Sequence, residues 1–237
     1  MDYSVSMKYT KVLQAILSSY QQTLSEEEYR SFSQEVERLV NHYHELLSAS
    51  KAGSERAQVT QQLIDEQNLL NSHIKISCQK GCGACCHLEV EITADDANLL
   101  ARSILQQKIP YDKARLQEQA QRSRLDSAWK KGVVAANRCV MLGDDNACSN
   151  YENRPATCRK LSVTSPPEYC APSDQPPVPV IAPMSEIIMS ASISFSDNEF
   201  GSLPKMLAQA LERLQSVEAI RQLDFAEDKS VLDEIVT

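Results

Sequence analysis

The chain has 237 residues, a formal net charge of −8 and eight cysteines, long enough for one full core with a smaller appended element. Its acidic balance, with a pI near 5.1, argues against a general affinity for nucleic acid or an anionic membrane. No apolar run approaches the ~20 residues of a membrane-spanning helix.

The opening MDYSVSMKYTKVLQ has no basic segment followed by an apolar one, so no secretory signal is expected. The expected compartment is cytoplasmic, where clustered cysteines serve metals or redox chemistry more often than structural disulfides.

Residues 1–74 read as an N-terminal helical module. Val12, Leu13, Ile16, Leu17 and Tyr20 form a first apolar stripe. Phe32, Val36, Leu39, Val40, Tyr43, Leu46 and Leu47 form a longer one, and Val59, Leu63, Ile64, Leu70 and Ile74 a third. Recurrence at three- and four-residue steps predicts three helices, with a break ending at Gly53. The module is expected to act as a scaffold, offering its helices to a protein partner or to self-association. His42 and His44 are two residues apart, so on a helix they point to nearly opposite sides and cannot share an ion.

Residues 75–215 are expected to form a cysteine-cluster domain with C-terminal helices, and 216–237 an acidic tail. Cys78, Cys82, Cys85 and Cys86 fall within nine residues. On an ordinary helix they would share one face, but Cys78 and Cys85 would lie ~10 Å apart along the axis, too far for one ion with metal–sulfur bonds near ~2.3 Å. Gly81 and Gly83 would each weaken such a helix by about 1 kcal/mol. A tight turn is expected instead, in which glycine reaches positive φ and backbone N–H groups face the sulfurs. Cys82-Gly83-Ala84-Cys85 has the spacing with which paired thiolates commonly chelate one centre. His73 and His87 are auxiliary candidates.

His87 to Ile92 alternates like a short strand. Thr93, with Asp96 three residues on, is a helix start. Pro110 is expected to open a polar, exposed helix running to about Lys131, with Trp129 as a core or edge anchor. Cys139-Val140-Met141-Leu142 and Ala147-Cys148 flank the turn-rich Gly143-Asp144-Asp145-Asn146, predicting a hairpin that pairs Leu142 with Ala147 and Met141 with Cys148. Pro155 suits the first position of a short helix with Cys158 in its opening turn, where free N–H groups favour a thiolate. Arg154 and Arg159 would add compensating charge. Seven of the ten prolines fall in 166–183, which predicts an extended wrap carrying Cys170 to the site. Ile187, Ile188 and the stretch from Leu203 to Leu214 predict further helices.

The expected fold class is mainly α: an irregular helical domain with a short β-hairpin and a cysteine-rich metal-binding core. The expected ligands are Cys78, Cys82, Cys85, Cys86, Cys139, Cys148, Cys158 and Cys170, supported by Gly83, Tyr151, Arg154, Pro155 and Arg159.

Cys82-Gly83-Ala84-Cys85-Cys86, the Cys139 and Cys148 pair, Tyr151-Glu152-Asn153-Arg154-Pro155-Ala156-Thr157-Cys158-Arg159 and the late Cys170 together resemble the YkgJ-type cysteine-cluster family. That family carries a zinc- or iron-chelating CxxCxxCC domain, which the flagellin lysine N-methylases share. The likeness covers about residues 75–172. One departure is the three-residue gap between Cys78 and Cys82, where the short motif has two.

Three functions follow as expectations. The cysteines hold a zinc ion or an iron–sulfur cluster in a binding or sensing protein. Alternatively, an iron–sulfur centre supports an enzyme, through redox chemistry or protein lysine N-methylation as the resemblance implies. The third is a zinc-stapled interaction module. Cys78, Cys82 and Cys85 also show the C-x3-C-x2-C spacing of radical enzymes, but that reading leaves Cys86 and the four later cysteines unexplained, and the chain lacks the strand pattern of a β/α barrel. No glycine-rich nucleotide loop or nucleophile–base set stands out.

Overall fold

The structure, a computed structural model, describes residues 8–123, 126–171 and 174–217. The fold is mainly helical, as the sequence predicts. Helix α1 spans Lys11–Thr23, α2 Glu26–Ser48 and α3 Ser54–Leu70. Each start has a local cause. Thr10 Oγ1 accepts the N–H of Leu13 at the head of α1. Ser25 and Glu28 close a capping box on α2. Gly53, at φ 91°, makes the reversal between α2 and α3.

Strand β1 (Glu91–Thr93) leads directly into α4 (Ala94–Gln107), with Thr93 accepting from the N–H of Asp96 as expected. Strand β1 pairs antiparallel with β2 (Phe200–Ser202), Ile92 opposite Gly201. The remaining helices are α5 (Lys113–Ala120), α6 (Ala156–Lys160), α7 (Pro183–Ile193) and α8, residues 203–217. No described helix is long and apolar enough to cross a membrane.

Two cores share this frame. Helix α7 runs through the first, with Ser185 to Ile193 all buried. Such a helix is enclosed rather than laid on a surface. Leu13, Val36, Val40 and Leu47 meet Ile187 and Ala191 on one side, and Ile64 and Ala156 meet Ile188 and Met189 on the other. The second core joins Ile92 of β1, Leu100 and Ile104 of α4, Val140 and Met141, and Leu203 and Leu207 of α8. An ion pair between Arg56 of α3 and Asp95 of α4, both almost fully buried, ties α3 to α4.

Three expectations are corrected. The helix from Pro110 to Lys131 is instead α5, which begins after Asp112 and stops at Ala120. Ser123 and Asp126 favour a turn, with Asp126 N–H donating to Ser123 and its carboxylate capping a 3-10 turn over Ser127–Lys131. Trp129 is buried there, 4.7 Å below the Arg122 guanidinium.

The hairpin at 139–149 forms one residue out of the expected register. Leu142 bridges Cys148, and Gly143 N–H donates to Ala147 at 2.9 Å. The cause is Asn146 at φ 57°, a left-handed residue whose N–H returns to Gly143 O at 3.0 Å and shortens the loop to 144–146. The alternating run from His87 is strand only from Glu91, because Ala84–His87 is a 3-10 turn.

The proline-rich segment is extended only in part. Val163 bridges Pro179, and a 3-10 turn over Pro167–Cys170 carries Cys170. The acidic tail beyond residue 217 lies outside the described residues.

Candidate metal centre

The first cysteine segment is a chain of tight turns. Gly81 reverses the backbone at φ 93°, and Cys82 N–H donates to Gln79 at 3.1 Å. Gly83, at φ −85°, needs no unusual backbone; a side chain there would stand 3.3 Å from Asn146 and 3.5 Å from Leu142. The two glycines therefore serve different ends, one conformational and one steric. His87 Nδ1 contacts Gly83 O at 3.1 Å, which ties the ring to the turn. His73 is exposed.

The later cysteines reach this turn by three routes. Cys139 N–H donates to Cys86 O at 2.7 Å, which fixes the hairpin alongside the 3-10 turn. Cys158 is the third residue of α6, and Thr157 Oγ1 beside it donates to Glu91 O at 2.8 Å. Cys78 accepts the Val163 N–H on its Sγ at 3.3 Å, next to a Ser77–Val163 backbone bond of 2.8 Å. Glu168, in the turn that ends at Cys170, lies close enough to act on Cys82.

All eight cysteines are free thiols and partly buried. Cys85 and Cys86 share a hydrogen bond in which Cys86 is the donor. That bond, the Cys85 backbone N–H and the Arg154 charge bring Cys85 down to about 7 against its burial, while Cys86 is held strongly in the thiol form. Burial pushes Cys139 up to about 11 and raises Cys148, each opposed by a backbone N–H two residues on, from Met141 and Asn150 respectively. Burial also raises Cys158 well above the ordinary thiol range. The expected benefit of a helix start is overridden there, because α6 has only five residues and the site is deep. Cys82 and Cys170 are raised less deeply in the protein, by burial first and then by neighbouring thiols.

Arg154 lies 4.3 Å over the Tyr151 ring, and its charge favours the thiolates of Cys85 and Cys148. Its Nε is buried without a hydrogen-bond partner, as is Asn150 Nδ2. Pro155 is the residue before α6, one place earlier than expected, and its carbonyl accepts the Cys158 N–H at 2.9 Å. Arg159 points elsewhere: it pairs with Asp65 and donates to the carbonyls of Glu152 and Arg154. It braces the turn before α6 rather than facing the thiols. Asn150 and Met141 were not singled out in the sequence, because their contribution is a backbone N–H that carries no residue signature.

Among the described residues, no three cysteine, histidine, aspartate or glutamate side chains stand in ligating geometry about one point. The donor chemistry nevertheless fits a soft metal. Every candidate is a sulfur, amide N–H groups face the sulfurs of Cys78, Cys139 and Cys148, and a buried guanidinium N–H stands unpaired beside two of the thiols. Such donors stabilise the thiolate that binds metal.

No curated protein and no solved structure matches the chain. Residues 77–171 match the CxxCxxCC family model, described as "putative zinc- or iron-chelating domain". That segment contains all eight cysteines and is the part of the chain that is similar to the family.

Proposed function

We propose that this chain is a metal-binding protein whose cysteines hold zinc or an iron–sulfur cluster as thiolates, with Cys78, Cys82, Cys85, Cys86, Cys139, Cys148, Cys158 and Cys170 as the ligand set. The observation that carries the reading is the buried, unpaired Arg154 Nε beside Cys85 and Cys148. A guanidinium in that position suits a centre with net negative charge.

The protein's own residues prepare the site. Backbone N–H groups of Met141, Asn150 and Val163 reach sulfurs and lower the cost of losing each thiol proton. Tyr151 holds the guanidinium plane by stacking. When bound, four thiolates would give zinc a closed structural site, or give an iron–sulfur cluster an electron-transfer or sensing role.

The test is metal analysis and a visible spectrum on protein purified without oxygen. Stoichiometric zinc without colour, or iron with sulfide and absorption near ~400 nm, supports the proposal. Protein free of both metals, with its thiols oxidised in pairs, refutes it.

A further inference from the structure

We infer that Asp65, Asp96 and Glu186, one carboxylate each from α3, α4 and α7, are positioning residues for the Cys158 ligand: they hold α6 at a fixed rotation, with Cys158 turned away from α3 and α7. The inference rests on the metal-binding reading above and adds the residues that aim one of its sulfurs. Asp65 and Glu186 lie outside residues 77–171, the segment that is similar to the CxxCxxCC family.

Helix α6 cannot place itself. It has five residues, of which only Ala156 is buried, whereas an isolated helix shorter than about 12–15 residues is marginal in water. Propensity and one small apolar side chain do not fix its rotation, so polar bonds must. At its head, Ala156 N–H donates to Asp96 Oδ1 at 3.4 Å, and the same oxygen accepts Gln61 Nε2 of α3 at 3.0 Å. At its foot, Arg159 pairs with Asp65 and Lys160 with Glu186. The second Glu186 oxygen accepts Thr10 Oγ1 at 2.7 Å, so this tie extends to the head of α1. On the flank, Thr157 Oγ1 donates to Glu91 O at 2.8 Å. All four residues of α6 other than Cys158 are therefore held.

The helical period turns these ties into an aim. At about 100° per residue, Ala156, Arg159 and Lys160 share a face about 100° wide. That face meets the helical module: Ala156 packs with Ile64 of α3 and with Ile188 and Met189 of α7, beside the two ion pairs. Cys158 falls about 150° from the middle of the tied face, on the opposite side of the helix. A slip of one residue would swing its sulfur by about 100°, far beyond what a metal–sulfur bond tolerates. The carboxylates thus act on metal through the orientation of a ligand, as partners outside a coordination shell commonly do.

The experiment compares full-length wild type, Asp65→Ala and Glu186→Gln, all purified without oxygen. Zinc or iron retained per chain is followed against a graded chelator. The metal-free forms are then alkylated with iodoacetamide for timed intervals, and the modified cysteines are mapped by mass spectrometry. Both variants should release metal at a chelator concentration about tenfold lower than wild type. Cys158 should also be modified several-fold sooner relative to Cys139 in the same molecule, since Cys139 keeps its own bond to Cys86. Unchanged metal retention overturns the inference and leaves the metal-binding reading intact. So does faster labelling shared equally by Cys158 and Cys139, the mark of general loosening. Wild-type protein that holds neither zinc nor iron overturns both. Asp65 is half-exposed, so Asp65→Ala decides the matter even if Glu186→Gln fails to fold.

Discussion

The main-chain N–H of Cys139 lies 2.7 Å from the carbonyl oxygen of Cys86, joining two cysteines far apart in sequence without using either sulfur. The thiols of both residues stay free for other bonds, while their separation is fixed by backbone. Removing the metal should therefore loosen this junction without dissolving the α7 core. A chelator is expected to lower the thermal midpoint, since a ligand at a hundredfold excess over its Kd contributes about 2.7 kcal/mol. Amide exchange should quicken over 78–88 and 139–150 and stay slow in α7. An unchanged midpoint and exchange pattern would count against metal as part of the fold.

Gly81 and Gly83 should respond differently to substitution. Gly81 sits at φ 93° with only the Asp145 carbonyl nearby, so Gly81→Ala strains the backbone by about 1–3 kcal/mol. Gly81→Asn should be milder, since asparagine tolerates the left-handed region. Gly83→Ala asks instead for a shift of a few tenths of an ångström in the 143–147 turn, because its Cβ would meet Asn146 at 3.3 Å. Competition for metal against a graded chelator should rank Gly81→Ala below Gly81→Asn. Equal affinities for those two would disprove the backbone account.

Arg56→Ala should cost about 3–5 kcal/mol in denaturant unfolding, because it leaves Asp95 buried without its partner. Arg56 Nη2 also reaches Asp197 at 2.8 Å, and the guanidinium lies 4.1 Å from the Phe195 ring. A loss below ~1 kcal/mol would mean that water reaches Asp95 freely.

His44 stacks on the same Phe195 ring at 4.1 Å. Burial, then the Arg56 charge, lowers its affinity for a proton, with Glu45 acting the other way. The unfolded chain thus takes up the proton first. Stability from this group is complete above the ordinary value of 6.5 and is lost as pH falls from there through the lowered value. His44→Phe should flatten that part of the stability–pH curve. An identical slope in the variant would rule His44 out as its source.

The cysteine motif, the three N-terminal helices and the Thr93 cap were legible because each rests on local spacing. The hairpin register was not, since it depended on the single conformation of Asn146. Strand β1 was partly legible, but its partner Phe200–Ser202 lies on the far side of α7 and is only three residues long. The centrality of α7 was not legible, because its serines interrupt the apolar run around Ile187 and Ile188. In the structure Ser190 Oγ donates to Glu186 O at 2.7 Å and Ser194 Oγ to Ser190 O at 2.8 Å, so these hydroxyls are buried with their bonds made within the helix. Cys158 shows the same limit at the site: its place at a helix start was visible, but its depth required the tertiary fold.

Helix α7 also dictates when the first half of the protein can settle. Thr10 Oγ1 donates to Glu186 at 2.7 Å across 176 residues of sequence, and the Val36–Val40–Leu47 stripe has its partner on that same late helix. At 5–20 residues per second, a nascent chain waits on the order of ten seconds between finishing α2 and making α7. During that interval the stripe lacks the surface that covers it in the finished molecule. A ribosome stalled between Cys170 and Pro183 would release a product that carries every cysteine yet displays an uncovered apolar helix face, a form suited to capture by chaperones and proteases.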